Sequence, residues 1–291
     1  MITVFGSINL DLIFALDRLP QPGETLLGPG VSVQPGGKGA NQAVAATLDG
    51  AQVVMAGAVG RDALAQGALA GLRQAGVDLS RVAALEAATG CAAICTDPAG
   101  RNLIAVGSGA NLQAHAAQVE DALLGPGTTL VLQMEVPAAE TQALIHRARA
   151  RGARIVLNLA PAAPLAIDAL RAVDVLIVNE HEAAWLAAHL GAAPEAALGA
   201  TVVRTLGERG AVFAGPAGQG TVAPYRVRAV DTTAAGDCFT GVLAAALDRG
   251  SSLPDALRRA SVAAGLCCSR AGSQATLPRA EETDAALAEA R

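Results

Sequence analysis

The sequence predicts an α/β fold: a mostly parallel sheet covered by helices on both faces, with a smaller sheet beside it. Short apolar runs alternate with alanine-rich stretches at helical spacing, the pattern of parallel strands joined by crossover helices. Hydrophobic residues make up 52% of the 291 positions and charged residues 16%, which allows a large packed core and argues against disorder. Two segments, 11–34 and 89–106, break the alternation and read as extended chain that could form the smaller sheet.

Taken in order, strands are expected at 2–5, 53–58, 128–134, 154–158, 173–178, 201–205 and 211–214. Alanine-rich helices are expected around 41–48, 63–75, 138–151, 180–190 and 253–270. Segment 89–106 alternates on both sides of a polar Asp97-Pro98-Ala99-Gly100 turn and therefore reads as a β-hairpin. Tyr225 and Val227, at alternate positions, make 222–230 a further strand. Phe239, Val242, Leu243 and Leu247 recur at helical spacing in 238–247, with Gly250 as a stop. No internal repeat or low-complexity linker divides residues 1–291, which read as one domain with two inserted segments.

Composition narrows the function classes. Aromatics are only 2%, too few for a base-stacking platform. The formal net charge is −5 without a long Lys/Arg run, so no nucleic-acid partner is expected. No apolar run reaches membrane-spanning length, and the first residues lack a basic signal-peptide flank, so a cytoplasmic protein is expected. Cys91, Cys95, Cys238, Cys267 and Cys268 lack metal-ligand spacing and read as reduced thiols. The four histidines are scattered and form no triad or metal pattern.

The most informative motif is Asp231-Thr232-Thr233-Ala234-Ala235-Gly236-Asp237. It crosses from the strand expected at 222–230 into a helix start, where exposed backbone N–H groups attract anions and small side chains admit a phosphate. A carboxylate beside a phosphate must take a proton or hold a cation. That points to phosphoryl transfer, with Asp237 as the base. Pro35-Gly36-Gly37-Lys38-Gly39-Ala40-Asn41-Gln42-Ala43 also enters a helix, but lacks the earlier glycine and the Ser/Thr of a P-loop. By itself it reads equally as a glycine turn capping a helix or as a close-approach loop with Lys38 and Asn41 as donors.

Other positions are weaker alone. Asn9 and Asp11 share one face of an extended segment and suit a polyhydroxylated ligand, although an ordinary turn is the plainer reading of the pair. Glu135 follows an apolar strand and, in isolation, reads as a solvated loop acid. Asn179 is read locally as an N-cap; with Glu182 it could also face phosphates through Mg²⁺-bound waters. Thr205-Leu206-Gly207-Glu208-Arg209-Gly210 is a strand-end turn that could admit a nucleotide.

In their order and spacing these motifs resemble the ribokinase-like (PfkB) carbohydrate kinases, from Gly6-Ser7-Ile8-Asn9-Leu10-Asp11 to Arg270-Ala271-Gly272. The resemblance implies a ribokinase-like three-layer Rossmann-like domain over 1–291, with a small β-sheet lid from about 11–34 and 89–106, often shared across a homodimer. It implies transfer of the ATP γ-phosphoryl group to a sugar hydroxymethyl, O5 in the case of ribose. Asn9, Asp11, Gly37, Lys38, Gly39, Ala40, Asn41 and Glu135 would then surround the sugar, with Asp237 as catalytic base. Asn179, Thr205, Leu206, Gly207, Glu208, Arg209, Gly210, Ala235, Gly236 and Ser261 would lie along the nucleotide, and Glu182 would help position Mg²⁺. Asp231, Thr233, Cys267, Arg270, Gly272 and Thr276 match a monovalent-cation site, usually K⁺, several of whose ligands would be backbone carbonyls. The chain departs from the family in two places. Segment 179–205 is short, and Ser261 stands where His or Asn is common near the adenine. A related kinase for deoxyribose, fructose, adenosine or pseudouridine, or a sugar sensor without catalysis, is the alternative.

Overall fold

The computed structural model describes residues 1–99 and 101–289, so Gly100 of the expected hairpin turn lies outside the described residues. The strands are Ile2–Phe5 (β1), Asn9–Ala15 (β2), Ser32–Gly36 (β3), Val53–Gly60 (β4), Asp78–Leu85 (β5), Gly90–Thr96 (β6), Asn102–Gly107 (β7), Thr129–Leu132 (β8), Arg154–Asn158 (β9), Val175–Asn179 (β10), Thr201–Thr205 (β11), Ala211–Gly215 (β12) and Gly218–Val222 (β13). The helices are Lys38–Leu48 (α1), Leu64–Ala68 (α2), Ala70–Ala75 (α3), Ala138–Arg151 (α4), Ile167–Arg171 (α5), Glu180–Leu190 (α6), Pro194–Ala197 (α7), Ala235–Asp248 (α8), Leu253–Cys268 (α9) and Ala280–Glu289 (α10).

A nine-stranded sheet runs in the order β13-β12-β11-β10-β9-β8-β1-β4-β5. It is parallel from β11 to β5, while β12 and β13 pair antiparallel at one edge. Alternate strand residues enter two separate cores. Ile2, Val4 and Val131 pack with residues of α1, α3, α8 and α9 on one face. Phe5, Leu130 and Leu132 pack with residues of α4, α5 and α6 on the other. This is the expected three-layer arrangement, and it explains why the central strands are apolar on both faces. Ser7, Glu135, Asn158, Asn179 and Thr205 lie at or just beyond the carboxyl ends of β1, β8, β9, β10 and β11, where ligands bind in such sheets.

The second sheet has the order β3-β2-β6-β7; β2 and β6 are parallel and the other pairs antiparallel. Its strands arise from the two segments that break the alternation, with β2 beginning at Asn9. The hairpin turn is held by Asp97 Oδ1, which accepts from Ala99 N and Arg101 N at 3.0 Å each.

Three corrections follow. The strand expected over 222–230 is not formed: an unexpected strand, β13, precedes it and stops at Val222, because Pro224 has no N–H for a ladder and the next residues turn along a cleft. Its alternation instead places Tyr225 against Gly265 of α9. Strand β5 and helices α5 and α10 were not expected: β5 is a half-exposed edge strand that reads as polar, and α5 is a short helix of five residues. The helix expected at 41–48 begins earlier, at Lys38.

Candidate active site

Asp237 lies in the first turn of α8, 6% exposed, with its carboxylate against α1. Asn41 Nδ2 donates to Asp237 Oδ2 at 2.9 Å, and Gln42 Nε2 donates to Oδ1 at 3.1 Å. Burial pushes the Asp237 carboxyl above the ordinary carboxylate range, while the Lys38 ammonium and the Asn41 amide pull against that rise. The field of Asp237 in turn raises the Lys38 ammonium. Burial thus makes Asp237 a more basic carboxylate than an exposed one, with the Lys38 ammonium and the amides of Asn41 and Gln42 favouring its anion.

The turn before α8 is strained. Ala234 has φ +60°, and it is the single non-glycine residue with positive φ among the described residues. The first bond of the helix runs from Cys238 N to Ala234 O at 2.8 Å, so the N–H groups of Gly236 and Asp237 stand at the helix head without an intrahelical acceptor, while Ala235 N donates to Thr232 O at 3.3 Å. Asp231 braces the turn: Oδ1 accepts from Thr233 N at 2.9 Å and Oδ2 from Gly272 N at 3.1 Å. Although burial opposes it, these bonds hold the Asp231 carboxyl below its usual range. The two acids of the motif therefore sit in opposite environments.

On the other side, Gly37 at φ +89° starts α1, and the helix head is clamped by β1 and by the residue after β8. Ser7 Oγ donates to Glu135 Oε2 at 2.6 Å, Lys38 N donates to the same oxygen at 3.1 Å, and Gly39 N donates to Ser7 Oγ at 3.2 Å. Ala40 N donates to Ser7 O at 2.9 Å. Glu135 is thus no solvated loop acid: it binds the glycine loop, a contact invisible across 97 residues of chain. A Cβ on Gly39 would lie 2.7 Å from Gly6 C and Ser7 N, backbone atoms that cannot yield. Gly39→Ala is therefore expected to cost roughly 1–3 kcal/mol or more of stability, seen as a lower Tm in thermal unfolding.

Asn9 and Asp11 of β2 complete this side. Asn9 Oδ1 accepts from Asn111 Nδ2 at 2.7 Å, while Asn111 Oδ1 accepts from Ile8 N at 2.9 Å, so a buried amide orients the Asn9 side chain. Asp11 is 7% exposed, and burial, with Glu135 and Asp237 as like-charged neighbours, raises its carboxyl to about 6.

Next to α8 opens a cleft of about 840 Å³. Thr205, Gly207, Glu208, Arg209, Gly210, Ala235, Gly236 and Ser261, eight of the ten residues expected along the nucleotide, line it. The other two do not: Leu206 is absent from the wall, and Asn179 caps α6, with its Oδ1 accepting from Glu182 N at 2.8 Å. Glu182 Oε2 accepts from Asn179 N at 2.7 Å, completing a capping box. Burial raises the Glu182 carboxyl, the Asn179 N–H bond opposing it. Ser261 Oγ is turned inward to Ala223 O at 3.0 Å. Pro224, Tyr225, Arg226, Val227, Ala229 and Phe239 also line the cleft. The first five were missed because 222–230 reads as a strand, and Phe239 because it reads as a core position of α8.

Of the residues matched to a cation site, Thr233, Cys267 and Thr276 meet: Cys267 Sγ lies 3.7 Å from Thr233 O and 3.1 Å from Thr276 Oγ1. Gly272 joins them through Asp231. The Arg270 side chain points away, to Glu282 of α10. Segment 191–199, short for a full helix, holds the single turn α7.

Comparison with known sequences agrees with this geometry. The pfkB family carbohydrate kinase profile matches residues 1–280. The chain belongs to this family. It is 33% identical to the ribokinase of Haemophilus influenzae over 296 residues, covering 97% of this chain and 96% of that one. Among solved structures, the ribokinase of Thermotoga maritima superposes with a TM-score of 0.90 at 30% identity, covering 99% of both chains. The ribokinase of Arabidopsis thaliana complexed with ribose and ATP gives 0.84 at 27% identity, covering 98% of both. Among the described residues, no helix is long and apolar enough to cross a membrane.

Proposed function

We propose that this chain is a cytoplasmic ATP-dependent ribose kinase, one domain over 1–291, that transfers the γ-phosphoryl group of ATP to the O5 hydroxyl of D-ribose. The observation that carries the reading is the position of Asp237: anchored to Asn41 and Gln42 of α1, and directly after Ala235 and Gly236, which line the nucleotide-sized cleft. Asn9, Asp11, Gly37, Lys38, Gly39, Ala40, Asn41 and Glu135 hold the sugar, whose hydroxyls donate to the carboxylates and accept from the amide and ammonium groups. Asp237 takes the proton of O5 as the bond to phosphorus forms. The N–H groups of Gly236 and Asp237 stabilise charge on the transferring phosphoryl oxygens, and that of Ala235 adds to them when it turns from Thr232 O to the phosphate. The nucleotide occupies the cleft along Thr205, Gly207, Glu208, Arg209, Gly210, Ala235, Gly236 and Ser261; with Ser261 turned inward, the adenine is held mainly by shape.

Glu182 keeps one carboxylate oxygen outside its capping box and lies in the field of Lys38 and Asp237, which fits it to hold Mg²⁺ through water. When bound, Mg²⁺ neutralises phosphate charge. The loop of Asp231, Thr233, Cys267, Arg270, Gly272 and Thr276 offers one carboxylate, hydroxyls and carbonyls, and no cluster of three His, Cys, Asp or Glu suited to another metal occurs among the described residues. That donor set fits K⁺, bound largely by main-chain oxygens, as a support of the strained turn. The small sheet acts as a lid, and its exposed Val33, Leu103, Ile104 and Val106, with Val31 just before β3, suit a homodimer formed through it.

Measuring ADP release with ribose, deoxyribose, fructose, adenosine and pseudouridine, with and without K⁺, tests the reading. Ribose is expected to give the highest kcat/KM, increased by K⁺. A better acceptor would move the activity to that substrate, and tight ribose binding without turnover would make the protein a sensor.

A further inference from the structure

Gln42 takes no part in the sugar or nucleotide roles above, yet its side chain is fully buried and touches the base. We propose that Gln42 is a positioning residue for Asp237: with Asn41 it supplies one amide donor to each carboxylate oxygen, fixing the plane of the base and favouring its anionic form. The inference rests on Asp237 being the base.

The two amides are oriented from behind. Gln274 Nε2 donates to Asn41 Oδ1 at 3.0 Å, so the Asn41 amide nitrogen faces Asp237 Oδ2. Asn158 Nδ2 donates to Ile177 O at 3.4 Å, so Asn158 Oδ1 faces Gln42 Nε2, 3.3 Å away. Turning the Gln42 amide over would set its oxygen against two acceptors, Asn158 Oδ1 and Asp237 Oδ1. The observed orientation leaves Gln42 Oε1 buried without a partner, a cost accepted in order to aim the nitrogen. Helix packing places the residue. A Cβ on Gly241 of α8 would lie 2.4 Å from Gln42 O, so α1 and α8 meet backbone to backbone at this level, which sets Gln42 beside the first turns of α8.

An amide N–H bonds to a carboxylate oxygen with its lone pair free and disfavours a proton there. The charged and titratable groups in the field of Asp237 are Lys38 of α1, Glu135 after β8, Asp11 of β2, Glu182 of α6 and Cys267 of α9. Three of these are carboxylates that work against the anion, so its neutral donors carry weight.

The test is the pH dependence of turnover in Gln42→Met and Gln42→Glu. Loss of the donor in Gln42→Met is expected to lower kcat about 10- to 100-fold, leave the KM for ribose within about threefold, and move the acid limb of the kcat profile up by about one to two pH units. In Gln42→Glu two carboxyls share a proton, and the limb should move higher still. A purely structural role would lower Tm and leave the limb in place; an unmoved limb in either folded variant overturns the proposal. The Gln42→Met/Asp237→Asn double variant should turn over no more slowly than Asp237→Asn alone, because Gln42 acts only through the base. Additive losses would count against it. Near-normal turnover in Asp237→Asn would instead remove the base, and with it any role for Gln42 through it.

Discussion

Asp237→Asn is expected to lower kcat by about two to four decades at saturating ribose and ATP, while ribose affinity stays within a few-fold. Asn keeps the shape of the side chain but cannot take the proton of O5. The sugar contacts assigned to Asn9, Asp11, Lys38 and Glu135 do not depend on that proton. A coupled assay of ADP release reads kcat, and calorimetry of ribose binding on the same preparation reads affinity. Near-normal turnover in a folded variant would end the assignment of Asp237. A parallel collapse of binding would instead give Asp237 a role in holding the sugar. The expectation draws on the buried setting of Asp237, where solvent water is kept from substituting for the missing base.

Asp11 is expected to give the enzyme opposite pH responses in binding and in stability. Its carboxyl lies at about 6 in the folded protein, against 3.8 for an unperturbed group, because of burial and the nearby Glu135 and Asp237. As pH falls through about 6 the group gains a proton and ceases to accept sugar hydroxyls in its charged form, so kcat/KM for ribose should fall. Stability runs the other way. Between about 4 and 6 the folded state binds more protons than the unfolded chain, so the contribution of this group to stability declines as pH rises across that window and stays lost above it. At most about 3 kcal/mol is involved. Asp11→Asn should therefore have a higher Tm than the parent at pH 8, with the two converging near pH 4, while kcat/KM for ribose drops about 10- to 100-fold through loss of a charge-assisted hydrogen bond. A Tm at pH 8 equal to the parent's would show that the carboxylate is not held at a cost.

These two residues illustrate how unevenly the site was legible. Asp237 stands in a motif whose local chemistry, small residues at a helix start between two acids, already implies an anion and a proton transfer. Asp11 stands in a segment whose plainer local reading is an ordinary turn, and its burial emerges only in the folded chain, where β2 pairs between β3 and β6. Gln42 read only as a helix residue inside a motif, and Glu135, taken alone, as a loop acid that only the family resemblance set beside the sugar, although both make close contacts in the site. The reverse error occurred at 223–230, where alternating side chains imitate a strand. Period-two alternation reports which residues are covered, and Tyr225 is covered by Gly265 of α9 rather than by a neighbouring sheet face.

By itself, then, the sequence determined what is local: strand and helix periods, the glycine-rich helix start at Gly37, and the acid-flanked turn at Asp231–Asp237, because each of these is set by backbone sterics and side chains within a few residues. The order of those motifs also carried the family resemblance. Only the tertiary structure decided which acid is buried, which is braced, and which amides face the base. Asn41 and Asp237 are 196 residues apart, and Glu135 and Lys38 are 97 apart. Desolvation and hydrogen bonding, the quantities that separate a base from a solvated carboxylate, depend on what the folded chain brings against a group.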